Sequence, residues 1–309
     1  MLKRYEQDSG IEIVKFLLKC NSNVALQKNS KGRPLLLWAC RINYDNSNLD
    51  ADSAVELIKV ICDACPESVR NDDSNNGRLP IHGLCKAKNG DETVALGILK
   101  FLIHRYPESI RHADNEGILP VHLACRQKSP EFCRVLIEAY PGSERIADHR
   151  GKLPFHWACS NNTLATVDYL NKLYPDAVNH AATNGIYPIH FAILDCAKRV
   201  SFDAVEIVEY LLDCDPNVKL QKDAGRQPLL CYACYKNYND SNIETGIQII
   251  KTIYDDYPEA IEDNNIASDI HEYHPQVQSF INNELLYARQ AKDHLLMMTP
   301  DGNGQLPLH

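Results

Sequence analysis

The chain has 309 residues, of which 44% are hydrophobic, so it is long enough to bury a continuous core. Its net charge of −9 argues against nucleic acid or an anionic membrane as the main partner. Residues 1–10 lack the apolar core of a signal peptide, and no apolar run approaches the ~18 residues of a membrane span. We therefore expect a protein of the cytoplasm or the nucleus.

The first predicted element is a helix at residues 11–20, where apolar residues recur at helical spacing. Further along, one phrase recurs with a glycine three residues before each proline. Successive glycines at 117, 151 and 185 are 34 residues apart, and such a period is typical of small units stacked in one dimension. The five copies are Leu79-Pro80-Ile81-His82, Leu119-Pro120-Val121-His122, Leu153-Pro154-Phe155-His156, Tyr187-Pro188-Ile189-His190 and Leu306-Pro307-Leu308-His309.

The unit that starts at Gly117 predicts two helices and a turn. Pro120 fixes the backbone at the start of a short first helix, where its missing N–H does no harm. Ser129 and Pro130 predict the start of a second helix, which runs to residue 139 and stops at a tyrosine-proline step. The polar residues 142–150 that follow are typical of a hairpin-like finger.

Residues 114–124 read D-N-E-G-I-L-P-V-H-L-A and resemble the ankyrin repeat pattern D-x-x-G-x-T-P-L-H-x-A; residues 148–158 resemble it as well. The resemblance implies an all-α fold, an ankyrin-type helix-turn-helix solenoid with short β-hairpin fingers and several lengthened inter-helix loops. It also implies that the motif histidine hydrogen-bonds the backbone across units.

Two departures from the ankyrin pattern recur, and both resemble variant repeats of diatom ankyrin-like proteins. Leucine or tyrosine replaces the threonine before the proline, which removes a hydroxyl cap worth roughly 1 kcal/mol. A tyrosine-proline step, as at Tyr106, Tyr140, Tyr174 and Tyr257, replaces the glycine-alanine at the end of the second helix. We expect this step to be a stiffer stop than glycine.

We predict that residues 1–309 form a single solenoid, and both ends fall inside a unit, so we expect a fragment of a longer protein. In the longer units the surplus residues fall between the two helices, at 41–51, 86–91 and 198–202. Residues from Glu12 onward recur from Glu206 onward, an offset of 194, which indicates a duplicated block of five units. The predicted units are a partial one at 1–22, then about 23–66, 67–107, 108–141, 142–175, 176–216 and 217–258, a degenerate one at 259–298 and a truncated one at 299–309.

Two cysteine pairs, Cys62/Cys65 and Cys231/Cys234, have the spacing that can hold zinc or perform redox chemistry. However, Cys65 stands at the stop of a second helix, where other units have tyrosine, and Cys231 and Cys234 belong to a first helix. Cysteines that recur once per unit are typical of reduced core thiols. The motif histidines also recur once per unit, which favours packing over general-base catalysis. We therefore predict no enzyme, no catalytic residue, no metal and no cofactor.

Two functions remain open. By the resemblance, the finger tips and first helices form a concave face that binds a partner protein, which makes the chain a non-catalytic interaction scaffold. The alternative is a regulatory ankyrin module of a larger multidomain enzyme, such as a kinase or a ubiquitin ligase. A different solenoid with 34-residue units is disfavoured by the glycine-x-x-proline phrase, which marks a turn before the first helix.

The candidate partner-binding residues occupy variable positions at the finger tips and just past the first helices. Most are basic although the chain is acidic, which predicts a protein partner with an acidic segment and salt-sensitive association. The alternative is that these charges only keep the stack soluble. We expect a monomer that binds neither nucleic acid nor membrane. The candidates are Arg78, Glu116, Arg126, Lys128, His149, Arg150, Lys152 and Tyr187.

Overall fold

The computed structural model describes residues 2–41, 51–88, 91–196, 203–223, 225–235, 238–262, 266 and 269–298. Within these residues the backbone forms α-helices and short 3-10 helices joined by turns, without a β-strand. The predicted all-α fold class is confirmed. The chain divides into two compact parts, Met1–Thr183 and Asn184–His309, here called the first lobe and the second lobe.

In the first lobe, short and long helices alternate after α1. The α-helices are α1 (Leu2–Cys20), α2 (Leu35–Ala39), α3 (Ala51–Ala64), α4 (Pro80–Lys86), α5 (Glu92–Arg105), α6 (Pro120–Cys125), α7 (Pro130–Ala139), α8 (Pro154–Asn161) and α9 (Leu164–Leu173). The 3-10 helices are Ser22–Leu26, Pro66–Arg70, Pro107–Arg111, Ser143–Arg145 and Pro175–Asn179.

The second lobe shows the same alternation and ends in a longer helix. Its α-helices are α10 (Pro188–Cys196), α11 (Asp203–Cys214), α12 (Leu229–Cys234), α13 (Ile243–Asp256) and α14 (Pro275–Met298). Its 3-10 helices are Val218–Leu220, Pro258–Glu262 and Ile270–Glu272.

The core of the first lobe lies between a layer of short helices and a layer of long ones. Short helices pack on short ones (α2 on α4, α4 on α6, α6 on α8), and long helices pack likewise (α1 on α3, α3 on α5, α7 on α9). Each short helix brings or is followed by one buried cysteine, a small side chain that lets neighbouring helices approach. These cysteines are Cys40, Cys85, Cys125 and Cys159.

The recurring proline begins the short helix in α4, α6, α8 and α10. The motif histidine then accepts, through Nδ1, a hydrogen bond from the backbone N–H of the residue before the proline. The histidine therefore satisfies one backbone donor at the helix start and replaces part of the cap that the sequence lacks. The distances are 3.2, 3.0, 3.1 and 3.3 Å for His82, His122, His156 and His190.

The tyrosine-proline step ends the long helices and also connects neighbouring repeats. The backbone N–H of each tyrosine closes the last helical turn, and a 3-10 helix follows. An arginine from the preceding repeat lies over the tyrosine ring, a cation–π contact that a glycine could not provide. The pairs are Arg70 over Tyr106 at 4.8 Å, Arg111 over Tyr140 at 4.9 Å and Arg145 over Tyr174 at 4.8 Å.

The 194-residue duplication extends to the backbone conformation. Isolated antiparallel bridges join Lys28 to Pro34 and Lys222 to Pro228, at the offset seen in the sequence. Between them, Gly32 has a φ of 68° and its counterpart Arg226 has a φ of 60°. The two fingers therefore share one turn, although only the first has glycine at the left-handed position.

Two predictions fall wholly or partly outside the described residues. They concern the lengthened loops at 41–51, 86–91 and 198–202 and the truncated unit at 299–309. The predicted boundaries of the repeat units and the single solenoid stay predictions. The helix predicted at 11–20 begins earlier, at Leu2, and residues 275–298 of the predicted degenerate unit form the helix α14.

Candidate protein-binding face

The fingers that begin with Asp114 and Asp148 are each held as a tight turn by that aspartate. One carboxylate oxygen of Asp114, Oδ1, accepts hydrogen bonds from the backbone N–H groups of Glu116 and Ile118, both at 2.9 Å. The N–H of Asp114 donates to the carbonyl of Ile118 at 3.0 Å. Asp148 makes the same contacts with the N–H groups of Arg150 and Lys152, at 2.9 and 3.0 Å. The residues at the tips are therefore presented on a fixed backbone.

Backbone hydrogen bonds join each finger of the first lobe to the next. In each bond, an N–H of one finger donates to a carbonyl of the preceding finger, so the tips form a continuous row. Such a row holds side chains of successive repeats at constant spacing. The bonds are Ser74 to Gly32 at 3.0 Å, Asn115 to Asn76 at 2.8 Å, His149 to Glu116 at 3.0 Å and Thr183 to Arg150 at 3.0 Å.

The predicted finger-tip residues occupy different environments. Arg78 donates through Nε to Oδ2 of Asp114 at 2.8 Å, and its side chain is only 14% exposed, so it also ties two fingers together. Arg150 and Glu116 are exposed and form an ion pair at 3.6 Å, which also crosses between fingers. His149 is exposed at the next tip.

Three of the remaining four predicted residues lie in different environments. Lys152 is half-buried beside the same finger. Tyr187 is half-buried in the second lobe, with its ring 5.9 Å from the ring of His190. Arg126 is exposed just past α6, 5.9 Å from the centre of the Trp157 ring.

Lys128 does not reach the surface, although the sequence predicts it as a partner-binding residue. It is 6% exposed, and its ammonium group lies 5.2 Å from the centre of the Phe132 ring. The loop that carries it is pinned from the next repeat, because Asn162 donates to the carbonyls of Cys125 and Lys128 at 2.9 and 2.7 Å. Burial lowers the pKa of Lys128. We therefore leave Lys128 out of the candidate face.

Five cationic side chains lie together on this face, and we call them the cationic ridge. They occupy two repeat positions: directly after the left-handed glycine of the finger, and directly after the buried cysteine of the short helix. The first position holds Arg33 and Arg78, and the second holds Arg41, Lys86 and Arg126.

The ridge cations are close enough to affect one another. Burial and the positive charges of Arg78, Arg41, Arg126 and Arg33 lower the pKa of Lys86. Burial and the charges of Arg33 and Arg78 likewise lower the pKa of Arg41. Gly83 gives Arg41 room to lie over α4, since a Cβ there would be 3.1 Å from Cγ of Arg41.

The family model of ankyrin repeats (3 copies) matches residues 87–179, which include the fingers at Asp114 and Asp148. Residues 87–179 are ankyrin repeats. The predicted ankyrin resemblance is thereby confirmed, and so is the ankyrin-type solenoid that it implies. The ankyrin family is a protein-interaction module.

No curated protein matches the chain. Among solved structures, it is similar to one chain of the complex between the predatory endopeptidase Bd0816 from Bdellovibrio bacteriovorus and the immunity protein Bd3460. The two are 17% identical, the match covers 74% of this chain and 99% of that chain, and the TM-score is 0.48. None of the described helices has both the length and the apolar composition that crossing a membrane requires.

Two of the motif histidines, His82 and His122, make the contacts between repeats that the resemblance implies. Nε2 of His82 donates to the carbonyl of Ile118 at 3.2 Å, and Nε2 of His122 donates to the carbonyl of Ile146 at 3.0 Å. Both rings are fully buried. Each imidazole therefore bridges its own helix start and the finger of the next ankyrin repeat.

Burial keeps these histidines neutral. It lowers the pKa of His82 to about 4, with a further contribution from the neighbouring His112. Burial lowers the pKa of His122 to about 4 and that of His156 to about 3. With one nitrogen accepting and the other donating, a neutral imidazole suits both contacts and a protonated one does not.

One cysteine of each pair is buried where the thiolate form is disfavoured. Burial raises the pKa of Cys62 to about 11 and raises that of Cys234 further. Zinc ligands and redox cysteines act as thiolates, which a raised pKa disfavours. In the described part of the chain, histidines, cysteines and carboxylates form no group of three or more that could hold a metal ion.

Sequence reasoning missed Arg33 and Arg41 as members of the ridge. The signal was present, because each follows an aligned residue: Arg33 follows Gly32 as Arg78 follows Gly77, and Arg41 follows Cys40. The first finger lacks the proline-histidine phrase that marks the later copies, so its variable positions are harder to recognise.

Proposed function

We propose that the chain is a non-catalytic scaffold whose cationic ridge binds an acidic segment of a partner protein. The observation that carries this is a concentration of positive charge on a chain of net charge −9. Of the five ridge cations, Arg78 pairs with Asp114, whereas the other four form no ion pair with a described residue. They are therefore available to an external carboxylate.

Mutual repulsion within the ridge supports a bound anion rather than a merely solvated surface. The neighbouring positive charges lower the pKa of Lys86, because the folded chain holds these like charges closer together than the unfolded chain would. A run of carboxylates laid along the ridge would remove this repulsion. Surface complementarity of this kind mainly accelerates association and weakens with salt.

The finger tips beside the ridge provide a polar rim for the same partner. Glu116, His149 and Arg150 are exposed on the hydrogen-bonded row of tips, and Lys152 lies next to them. Because the backbone of this row is fixed, a partner would meet side chains that need little ordering on binding. Tyr187 belongs to the second lobe and is not part of this proposed surface.

We place the protein in a reducing compartment, the cytoplasm or the nucleus. Eleven cysteines with described side chains are free thiols, and most of them are buried in the core. Disulfides form in oxidising compartments, where a chain so rich in cysteine would be exposed to mispairing while it folds.

Binding of a fluorescein-labelled hexaglutamate peptide to the full chain tests this function. Lys86→Glu with Arg126→Glu reverses two exposed ridge charges that have no ion pair within the described residues. We expect at least tenfold weaker binding, which corresponds to 1.4 kcal/mol, and an unchanged melting temperature. Binding of the peptide to the unaltered chain should weaken as salt is raised.

The matched control reverses two exposed lysines on long helices, Lys59→Glu with Lys100→Glu, which change net charge equally. It should leave binding within twofold of the unaltered chain. Equal loss in the two double variants would show attraction to overall charge rather than to the ridge. Absence of hexaglutamate binding at low salt would contradict the proposed function.

A further inference from the structure

Three of the ridge cations recur at one position of successive repeats. Arg41, Lys86 and Arg126 each directly follow the buried cysteine of a short helix. In the next repeat the same position holds Ser160, which is buried. We call Arg41, Lys86 and Arg126 the cation row. It carries one positive charge per repeat and lies within the first lobe.

Packing between the short helices fixes the spacing of the cation row. Helix α2 packs on α4, and α4 packs on α6. The first two approach closely at Gly83, where a Cβ would lie 3.0 Å from a backbone carbonyl oxygen of α2. Gln127 donates to the carbonyls of Cys85, at 3.4 Å, and of Lys86, so the ends of α4 and α6 are tied together. Because the axes of packed helices lie about 8–10 Å apart, each cation of the row is about that far from the next.

The middle cation of the row lies in the field of both outer ones. Burial lowers the pKa of Lys86, and the positive charges of Arg78, Arg41 and Arg126 lower it further. Lys86 and Arg126 are exposed, and Arg41 is half-buried. A carboxylate opposite Lys86 would therefore be attracted by several cations at once, so the central charge of a bound segment contributes most to its binding.

Few peptide conformations place charges at this spacing on one side. In a β-strand the side chains of one face are about 7 Å apart, and every third side chain points to the opposite face. A polyproline II helix has about three residues per turn and rises about 3.1 Å per residue, so every third side chain lies on the same side, about 9 Å from the last. This distance matches one step of the cation row. Acidic segments are usually unfolded, and unfolded chains already populate polyproline II, so binding in this form needs little ordering.

We infer that the cation row binds a polyproline II segment of the partner protein that has a carboxylate at every third residue. A segment of the form Glu-x-x-Glu-x-x-Glu places one carboxylate opposite each of Arg41, Lys86 and Arg126. A further glutamate in the same register would meet Ser160, where the row ends. The inference rests on the proposed function of the cationic ridge, and it adds the conformation and the charge spacing of the partner.

Two fluorescein-labelled peptides of identical length and composition test the spacing. In Glu-Pro-Pro-Glu-Pro-Pro-Glu the central glutamate lies on the same side as the outer two. In Glu-Pro-Glu-Pro-Pro-Pro-Glu it is shifted by one residue and is turned away by about a third of a turn. Fluorescence anisotropy at low salt measures the affinity of the full chain for each peptide. We expect the first peptide to bind about fivefold more tightly, the effect of one exposed ion pair, because only its central glutamate meets Lys86.

Lys86→Gln removes the cation opposite the central glutamate. This variant should bind the two peptides equally, with the affinity that the unaltered chain has for the second one. The matched control is Lys100→Gln, which removes an exposed lysine on α5, outside the ridge. It should keep the full difference between the peptides. Both substitutions are at exposed positions, so the melting temperatures should not change.

Hexaglutamate separates a failure of this inference from a failure of the proposed function. If hexaglutamate binds the ridge but the two proline-containing peptides bind equally or not at all, the ridge recognises charge without spacing, and only the inference is wrong. If hexaglutamate does not bind, the proposed function fails as well. A difference between the peptides that persists in Lys86→Gln would contradict the assigned register. Tighter binding of a stapled α-helix with glutamate at every seventh residue would overturn the polyproline II conformation.

Discussion

The two copies of the duplicated block share a backbone and differ in surface. In both, the residue that begins the finger, Asn29 or Asp223, accepts the N–H group four residues later through its side chain, at 3.1 and 2.9 Å. The position after the left-handed residue is Arg33 in the first lobe and Gln227 in the second.

The position after the short-helix cysteine differs in the same way. Arg41 is a ridge cation, whereas its counterpart Tyr235 stacks edge to face on Tyr273, at 5.9 Å, and hydrogen-bonds Glu272. A few backbone contacts within the finger therefore fix the repeat. The variable positions around them serve packing in the second lobe and, as we propose, recognition in the first.

The largest expected difference between the lobes is their sensitivity to acid. The pKa values of His82, His122 and His156 lie at about 4, 4 and 3, below the ordinary 6.5. Between the ordinary pKa of 6.5 and these lowered values, the unfolded chain binds more protons than the folded chain. The free energy of unfolding therefore falls as the pH drops from 7 towards 4. The loss is about 3 kcal/mol per histidine.

Urea unfolding at pH 7 and pH 4.5 measures this loss. Both tryptophans lie in the first lobe, so fluorescence reports that lobe and circular dichroism reports both. The fluorescence midpoint should fall more with acid than the dichroism midpoint does. His122→Leu, which introduces the residue found at the aligned position Leu37, should reduce the pH dependence by about a third. Equal midpoints at the two pH values would refute the neutral-histidine account.

The next effect compares a buried leucine with its exposed counterpart. Leu211 is fully buried, so Leu211→Ala should cost about 2–5 kcal/mol. Leu17 is 48% exposed, and Leu17→Ala should cost less than about 0.5 kcal/mol. Chemical denaturation monitored by circular dichroism checks both. Similar costs for the two variants would mean that Leu17 is covered in the isolated chain.

His122→Ala should cost about 1–3 kcal/mol at pH 7, because it leaves the carbonyl of Ile146 and the N–H of Leu119 without their partner. Thermal unfolding followed by tryptophan fluorescence measures the loss in the first lobe. An unchanged melting temperature combined with loss of an activity would instead assign the histidine a chemical role.

The smallest effect concerns the left-handed position of the finger turn. Arg226 has a φ of 60°, which strains a residue with a Cβ, so Arg226→Gly should stabilise the second lobe by about 1 kcal/mol. The reverse change, Gly32→Arg, should destabilise the first lobe by about the same amount. Hydrogen exchange of amides in each finger resolves the two effects, and a stabilised Gly32→Arg variant would contradict the shared geometry.

Much of the fold could be predicted from the sequence because single residues determine it. Pro80, Pro120, Pro154 and Pro188 each begin a helix, as their fixed φ and missing N–H require. The helix starts at Pro34 and Pro228 are harder to recognise in the sequence. There the proline follows the left-handed residue by two positions, and the helix begins one residue after the proline.

The candidate face was only partly predictable. Arg126 is exposed at its predicted place, because a helix end with a charged residue usually faces water. The burial of Lys128, two residues on, depends on Asn162 of the next repeat, which no local pattern indicates. The exposure of Leu17 and the burial of Leu211 have the same origin, because the local sequences are similar and the neighbours differ.

Hydrogen exchange of the full chain with and without hexaglutamate most directly tests the claim that recognition belongs to the first lobe. The account predicts slower exchange at residues 33–41, 78–86 and 118–126, which carry the cationic ridge, and no change at residues 227–235, the counterpart of the first of these segments. Protection at residues 227–235, or protection that does not follow the ridge, would contradict it.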